Sequence, residues 1–142
     1  MDPILHLSLP VADLGRARDF YVDLLGCSPG RVREGWFDVW FFGLQLTLQH
    51  DPDHVLAPEA TGVRHFGVTV DAATLATLLA RLGETDVEWV HRVATDYAGT
   101  PQEQTKAKIR DRDGNVIELK SYADPTVAFE QLGLTAEGQR LA

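Results

Sequence analysis

The sequence predicts an α+β fold: two paired βαβββ modules that form a curved, barrel-like mixed sheet with helices outside. The order strand, helix, three strands runs twice, in residues 1 to about 55 and again from about 62 to 123. His6 and His65 occupy matching places 59 residues apart, and Gly26 and Gly83 end the two helices 20 and 18 residues after them. Modules of about 60 residues are too small to bury a core alone, so the two should pair.

The first module begins with alternating leucines that predict a half-buried strand over residues 4–11. Asp13 is positioned to cap a helix that ends at Gly26. Further strands are predicted at 36–42 and 44–49. Residues 50–62 contain two prolines and several acidic side chains, which predicts a solvated connection between the modules.

The second module repeats these signals. Asp71 should cap a helix that stops at Gly83, and the turn Asp113-Gly114-Asn115 predicts a β-hairpin. Strands are predicted at 63–70, 87–93, 104–110 and 116–122. Asp124-Pro125 then opens a tail, residues 124–142, which is expected to be partly helical.

Composition limits the class of function. The net charge of -8 argues against a nucleic-acid partner, because phosphate binding needs a concentrated basic face. No segment approaches the roughly 20 apolar residues of a membrane span, and the N-terminus lacks the features of a signal peptide. Cys27 is the single cysteine, which excludes an internal disulfide and fits a reducing compartment. We therefore expect a cytoplasmic protein that acts on a small molecule, with no nucleic-acid or membrane partner.

Strand alternation defines a candidate metal site. Residues i and i+2 share a face of a strand, so in four strands the apolar side chains occupy one face, and the opposite face offers one potentially coordinating polar residue near the middle of each strand. These four residues are His6, Gln45, His65 and Glu118. A curved sheet would gather them, and two imidazoles with a carboxylate suit Fe(II), Mn(II), Zn(II) or Ni(II) with positions open to water or substrate.

Several motifs resemble those of the glyoxalase, bleomycin-resistance and extradiol-dioxygenase superfamily, also called the vicinal oxygen chelate superfamily. The matching residues span about 4 to 123. They are His6-x-Ser-x-Pro-Val, Asp13-Leu14-x-x-Ala17-Arg18-x-Phe20-Tyr21, Leu25-Gly26, His65-Phe66-Gly67-Val68 and Asp113-x-Asn115-x-x-Glu118. A bacterial extradiol-dioxygenase-like subgroup is also similar in Gly30-Arg31, Trp36-x-Asp38, Phe41-Phe42-Gly43-x-Gln45-Leu46 and Tyr122-Ala123-Asp124-Pro125.

The resemblance implies a divalent metal, with Fe(II) favoured, held by His6, His65 and Glu118. Glyoxalase I typically carries a glutamate ligand and base on the fourth strand, where this chain has Gln45, and an amide is a poor proton acceptor. An extradiol-dioxygenase-like oxidoreductase acting on a catechol-like or vicinal-oxygen substrate is therefore the first hypothesis. Tyr97 and Gln45 are the candidate catalytic residues.

Other hypotheses about the function stay open. A glyoxalase-type lyase or isomerase, or a fosfomycin-resistance-like thiol transferase, would use the same metal ligands. A non-catalytic protein could instead hold an aromatic or drug-like ligand against Trp36, Trp40 and Phe42. The alternating Lys106, Lys108 and Arg110 predict a solvated face or an anion anchor.

The resemblance also implies a homodimer. Phe129 and Leu132 in the tail are candidate dimer contacts. The barrel could close within one chain or between two chains, and the sequence favours neither arrangement.

Overall fold

Eight strands form two four-stranded sheets in the computed structural model, which describes residues 1–126. The order in the first sheet is β1-β4-β3-β2, and in the second β5-β8-β7-β6. The strands are β1 (His6–Val11), β2 (Ser28–Arg33), β3 (Trp36–Phe41), β4 (Leu44–His50), β5 (Phe66–Thr69), β6 (Glu88–Asp96), β7 (Gln104–Arg110) and β8 (Val116–Tyr122). The predicted α+β fold of two βαβββ units is confirmed, with the strands divided between two sheets. The helix expected in the tail, with Phe129 and Leu132, falls outside the described residues.

Both sheets are mixed in the same way. The first strand of each unit pairs in parallel with the last, β1 with β4 and β5 with β8, and the remaining pairs are antiparallel. A parallel pair needs a crossover connection, and the helix of each unit provides it. The register places His6 opposite Gln45 in the first sheet and Gly67 opposite Glu118 in the second.

The capping residues predicted from the sequence do cap the two helices. The carboxylate of Asp13 accepts a hydrogen bond of 2.9 Å from the backbone N–H of Arg16. This caps α1 (Leu14–Arg18), which continues as a π-helical segment over Asp19–Leu24. The carboxylate of Asp71 accepts a hydrogen bond of 2.8 Å from the N–H of Thr74 and caps α2 (Ala72–Gly83). None of the helices within residues 1–126 is long and apolar enough to cross a bilayer.

One hydrophobic core joins the two units. Its buried residues come from both sheets and both helices and include Leu46, Leu48, Leu75, Ile117 and Leu119. On β4 these core leucines alternate with Gln45 and Thr47, and on β8 the core residues alternate with Glu118 and Lys120. Each sheet therefore packs its apolar face on the shared core and carries its polar side chains on the opposite face.

The structure corrects one detail of the prediction for the second unit. Strand β5 begins at Phe66, so His65 precedes the strand, and its predicted position two residues inside a strand is wrong. A turn with a hydrogen bond from the N–H of Arg64 to the carbonyl of Thr61 comes just before it. The backbone there curves instead of running extended, which shortens the strand at its start.

Candidate metal centre

His65 and Glu118 lie together on the second sheet. The Nε2 atom of His65 is 3.9 Å from Oε2 of Glu118, and Nδ1 of His65 is 2.8 Å from the backbone carbonyl oxygen of Val63. A carbonyl only accepts hydrogen bonds, so Nδ1 carries a proton and Nε2 is the nitrogen that faces Glu118. A histidine held in this way is the usual form of a metal ligand.

The imidazole of His6, on the first sheet, is held in the same way. Its Nδ1 atom lies 3.1 Å from the backbone carbonyl oxygen of Gln45, which leaves Nε2 free. Within residues 1–126, however, no three His, Cys, Asp or Glu side chains come together as a metal-binding group. The chain therefore carries two separate parts of the expected site, His6 on one sheet and His65 with Glu118 on the other.

The side chain of Gln45 is oriented by Asp38. Its Nε2 atom donates a hydrogen bond of 3.2 Å to Oδ2 of Asp38. Because an ionised carboxylate can only accept, the amide nitrogen must face Asp38, and Oε1 of Gln45 is the atom that remains available. Gln45 can thus accept a hydrogen bond or offer a neutral oxygen, but it cannot serve as a strong base.

Asp38 is a functional candidate that the sequence analysis missed. It is 2% exposed and accepts hydrogen bonds from Thr47 at 2.6 Å and from Arg31 at 2.8 Å, as well as from Gln45. Burial alone would raise the pKa of the Asp38 carboxyl, but the hydrogen bonds from Thr47, Arg31 and Gln45 outweigh it and lower that pKa. The alternation of Trp36, Asp38 and Trp40 along the predicted strand is the sequence signal from which this carboxylate could have been placed on the polar face.

Two lysines flank Glu118. The ammonium nitrogen of Lys108 is 3.4 Å from Oε2 of Glu118, and that of Lys120 is 3.5 Å from Oε1. In the same region Lys106 pairs with Asp96 at 2.5 Å, and Arg110 pairs with Glu88 at 3.0 Å. The alternating basic residues of β7 are therefore ion-paired, and Lys108 belongs to the candidate centre.

A shallow cleft of about 230 Å³ opens beside this group. Its lining includes His65, Gly67, Thr69, Glu118 and Lys120. Gly67 lies where β5 pairs with Glu118, and a Cβ atom there would overlap the backbone carbonyl oxygen of Glu118. His65 also borders a larger, mainly apolar cleft of about 380 Å³. The imidazole of His65 therefore lies between a polar cleft and a mainly apolar cleft.

Tyr97 stands apart from this cleft. It lies in the turn after β6 with a φ of +55° and is 61% exposed. It is not among the residues that line the cleft beside Glu118. Of the other histidines, His91 lies opposite Lys108 in the β6–β7 register, and His50 ends β4. A catalytic role for Tyr97 remains a prediction.

The family model of the Glyoxalase/Bleomycin resistance protein/Dioxygenase superfamily matches residues 3–119. The chain belongs to this superfamily. A superfamily protein from Alicyclobacillus acidocaldarius has a similar structure, with a TM-score of 0.77 and 28% identity over 87% of this chain and 93% of that chain. Among curated proteins, none matches significantly.

More distant superfamily structures share the fold. A glyoxalase/dioxygenase from Nostoc punctiforme has a TM-score of 0.69 and 20% identity over 86% of this chain and 92% of its own. The fosfomycin resistance protein FosX from Listeria monocytogenes has a TM-score of 0.68 and 14% identity, over 85% and 93%. Because proteins of different activity share this fold, the activity of this superfamily member must be argued from its residues.

Proposed function

We propose that this chain is a metal-dependent, extradiol-dioxygenase-like oxidoreductase that acts on a small catechol-like or vicinal-oxygen substrate. The metal, Fe(II) in the first instance, would be held by His6, His65 and Glu118, with Mn, Zn or Ni as other candidates. The observation that carries the proposal is that both histidines have Nδ1 within hydrogen-bond distance of a backbone carbonyl, so that Nε2 is the nitrogen available to a metal. Superfamily membership and the absence of a disulfide partner for Cys27 fit a cytoplasmic enzyme of this kind.

The donor set fits a divalent cation. Two neutral imidazole nitrogens and one carboxylate form a facial group that leaves positions for a diolate and O₂. When bound, the metal would polarise a coordinated oxygen. Lys108 and Lys120 balance the charge of Glu118 without a metal, and a cation at Glu118 would release their ammonium groups toward the oxygens of a substrate.

We further propose that the site is completed across a homodimer, with His6 from one copy and His65 and Glu118 from a second. His6 lies on a different sheet from the other two proposed ligands. Within residues 1–126 of one chain, no three His, Cys, Asp or Glu side chains come close enough together to bind a metal. Apolar residues beside both parts of the site are exposed, Leu5 before His6 and Val63 before His65. A second copy would cover them.

The orientation of Gln45 favours the dioxygenase over a glyoxalase-type isomerase. A glutamate at this position could remove a proton from carbon, whereas Gln45 offers only an amide oxygen held by Asp38. Gln45 would therefore accept a hydrogen bond from the substrate. Tyr97, which is largely exposed, is proposed to supply the acid or base.

One observation favours a second candidate. Two ammonium groups beside Glu118 would suit a strongly anionic substrate, as expected for a fosfomycin-resistance-like thiol transferase. Oxygen consumption with catechols would support the dioxygenase, and formation of a thiol adduct with an epoxide phosphonate would support the transferase. Ligand binding with no metal and no turnover would instead indicate a sequestering protein.

Metal analysis of anaerobically purified protein tests the site. The wild type should carry about one metal ion per chain, and Glu118→Ala and His6→Ala should each lose it. The two variants should then be unfolded together and refolded as a mixture. A mixed dimer would have one site with all three ligands intact and one site lacking two, so about half of the mixed dimers' metal capacity should return.

The result distinguishes the possible arrangements. No recovery in the mixture, with metal loss in each variant alone, would place all three ligands within one chain and overturn the shared site. Full metal retention in Glu118→Ala would overturn the metal site itself. Glu34→Ala, at an exposed position away from the cleft, is the matched control and should retain the metal.

A further inference from the structure

Arg31 is held in one orientation by two neighbours. Its Nε atom donates a hydrogen bond of 2.8 Å to Oδ2 of Asp38, and its guanidinium carbon lies 5.2 Å from the ring centre of Trp36. The side chain is nevertheless 61% exposed. Within residues 1–126, its two terminal NH₂ groups have no hydrogen-bond acceptor. The donors that face solvent are therefore already oriented.

Asp38 makes this arrangement stable. Its carboxylate is almost completely buried and also accepts hydrogen bonds from Thr47 and Gln45. A buried carboxylate needs a compensating cation, and Arg31 is the one that contacts it. Moving the guanidinium away would leave this charge without its cation, so Arg31 is restrained in a way that an ordinary surface arginine is not.

Gly30 allows the backbone of β2 to approach Asp38. A Cβ atom at position 30 would lie 2.9 Å from Cβ of Asp38 and 3.2 Å from its carbonyl oxygen, which a side chain could not occupy without displacement. The pairing of β2 with β3 shifts register between Pro29 and Val32, as in a β-bulge. The bulge and the glycine together bring Arg31 over the polar face of the sheet.

This polar face is the one that carries His6. Gln45 is the register partner of His6 on β1 and of Trp40 on β3, and Trp36, Asp38 and Trp40 alternate along β3. Trp40 is partly exposed. An oriented guanidinium and an accessible indole therefore occupy the same sheet surface as one of the proposed metal ligands.

We propose that Arg31 binds the oxyanion group, a carboxylate or phosphonate, of a small aromatic substrate whose ring packs on Trp40. A guanidinium pairs with such groups through parallel N–H···O bonds, and an aromatic ring supplies the apolar contact. Asp38 acts as the positioning residue for Arg31. This inference rests on the proposed function only for the claim that the bound molecule is the substrate.

Ligand binding is measured by ¹⁹F NMR titration with 4-fluorobenzoate, with 4-fluorophenylphosphonate as the second arm and 4-fluorobenzamide as the neutral probe. The full-length protein is used with and without Zn²⁺. Arg31→Met should weaken binding of the anions about tenfold or more and leave the neutral amide unchanged. Arg31→Lys should recover only part of the affinity, because an ammonium lacks the planar pair of donors.

Arg33→Met is the matched control. Arg33 lies two residues away on the same strand, and it donates to the backbone carbonyl of Val32 instead of contacting Asp38. Its removal should change the dissociation constants less than twofold. Asp38→Asn should weaken anion binding while Arg31 remains present, and proton–nitrogen spectra of each variant should show that the fold is retained.

Several outcomes would overturn the proposal: no binding of either anion by the wild type, equal affinity in Arg31→Met, or an equal loss in Arg33→Met. The two anion arms decide between a carboxylate and a phosphonate. The content of iron, manganese, nickel and zinc is measured on the same samples and tests the metal site separately. Anion binding that depends on Arg31 in a protein that holds none of these metals would leave this inference standing and remove the proposed metal site.

Discussion

The hydroxyl of Tyr21 donates a hydrogen bond of 2.6 Å to Oδ2 of Asp111, which lies in the other βαβββ unit. The second oxygen of Asp111 accepts from the backbone N–H groups of Asp113 and Asn115, each at 2.8 Å. Asp113 in turn accepts from the N–H of Ala12 at 2.7 Å. A buried polar connection thus links the two units across their shared core.

Replacing Tyr21 with Phe should lower the free energy of unfolding by about 1–2 kcal/mol, because the buried Asp111 oxygen loses its shortest hydrogen bond. Urea denaturation at pH 7 measures the change. Tyr97→Phe is the control. Because this tyrosine is exposed, the free energy of unfolding of the variant should match that of the wild type. Equal stability of both variants would show that the link between the units contributes little.

The same tyrosine predicts a loss of stability at high pH. Burial, and then the negative charge of Asp111, raises the pKa of Tyr21 well above its usual value near 10. A raised folded-state pKa means that the stabilisation is complete below the unfolded value and is lost as pH rises above it. The midpoint of urea denaturation should therefore fall more steeply with rising pH in the wild type than in Tyr21→Phe. The range to measure is pH 9 to 11, on the order of one unit on each side of the usual pKa of tyrosine.

Asp38 predicts the opposite dependence on pH. Hydrogen bonds hold its folded-state pKa below the usual value of 3.8, so its contribution is present above that value and is lost as pH falls through the folded pKa. Asp38→Asn should lower the free energy of unfolding by about 1–3 kcal/mol at pH 7. This difference should shrink below about pH 3. A difference that is independent of pH would assign the effect to packing instead of charge.

Cys27 should react slowly with alkylating agents. Burial raises the pKa of its thiol to about 11, although Arg81 opposes the shift, and the side chain is buried. The reactive thiolate is therefore scarce and covered at pH 8. Iodoacetamide labelling followed by mass spectrometry should be slow in native protein and rapid in denaturant, and rapid native labelling would contradict this assignment.

Gly67→Ala tests the strand pairing beside the proposed metal centre. A Cβ atom at position 67 would overlap the backbone carbonyl oxygen of Glu118, so β5 would have to separate from β8. The variant should lose about 2 kcal/mol or more and bind metal poorly. Gly83→Ala is the matched control, because a Cβ there meets no atom within 4 Å, and it should be neutral or slightly stabilising. Similar behaviour of the two variants would contradict the close approach at Gly67.

The sequence predicted those parts of the fold that depend on local signals. Alternation located β7 and β8 at their observed bounds, and Asp13 and Asp71 cap the helices as expected. Strand alternation also correctly placed the side chains of Gln45 and Glu118 on the face of their strands that points away from the core leucines. These features follow from periods of two residues and from side chains that satisfy helix ends, both of which are visible in a single sequence.

The parts that failed depend on contacts between distant segments. Strand alternation could not show that a turn before Phe66 leaves His65 outside the strand, nor that His6 lies on a separate sheet. It also passed over Asp38, whose burial comes from partners on neighbouring strands. These features depend on contacts between distant segments, so the pattern of residues along one strand does not indicate them.

The polar faces of the two sheets differ in chemistry. One carries Trp36, Trp40 and an arginine fixed by Asp38, and the other carries lysines around Glu118. The two halves of the duplicated fold thus present different charged groups on their polar faces. Under the proposed function, we expect substitutions on β2 and β3 to alter which molecule is bound while Glu118 on β8 is unchanged, so related chains could acquire new specificities without changing this proposed metal ligand.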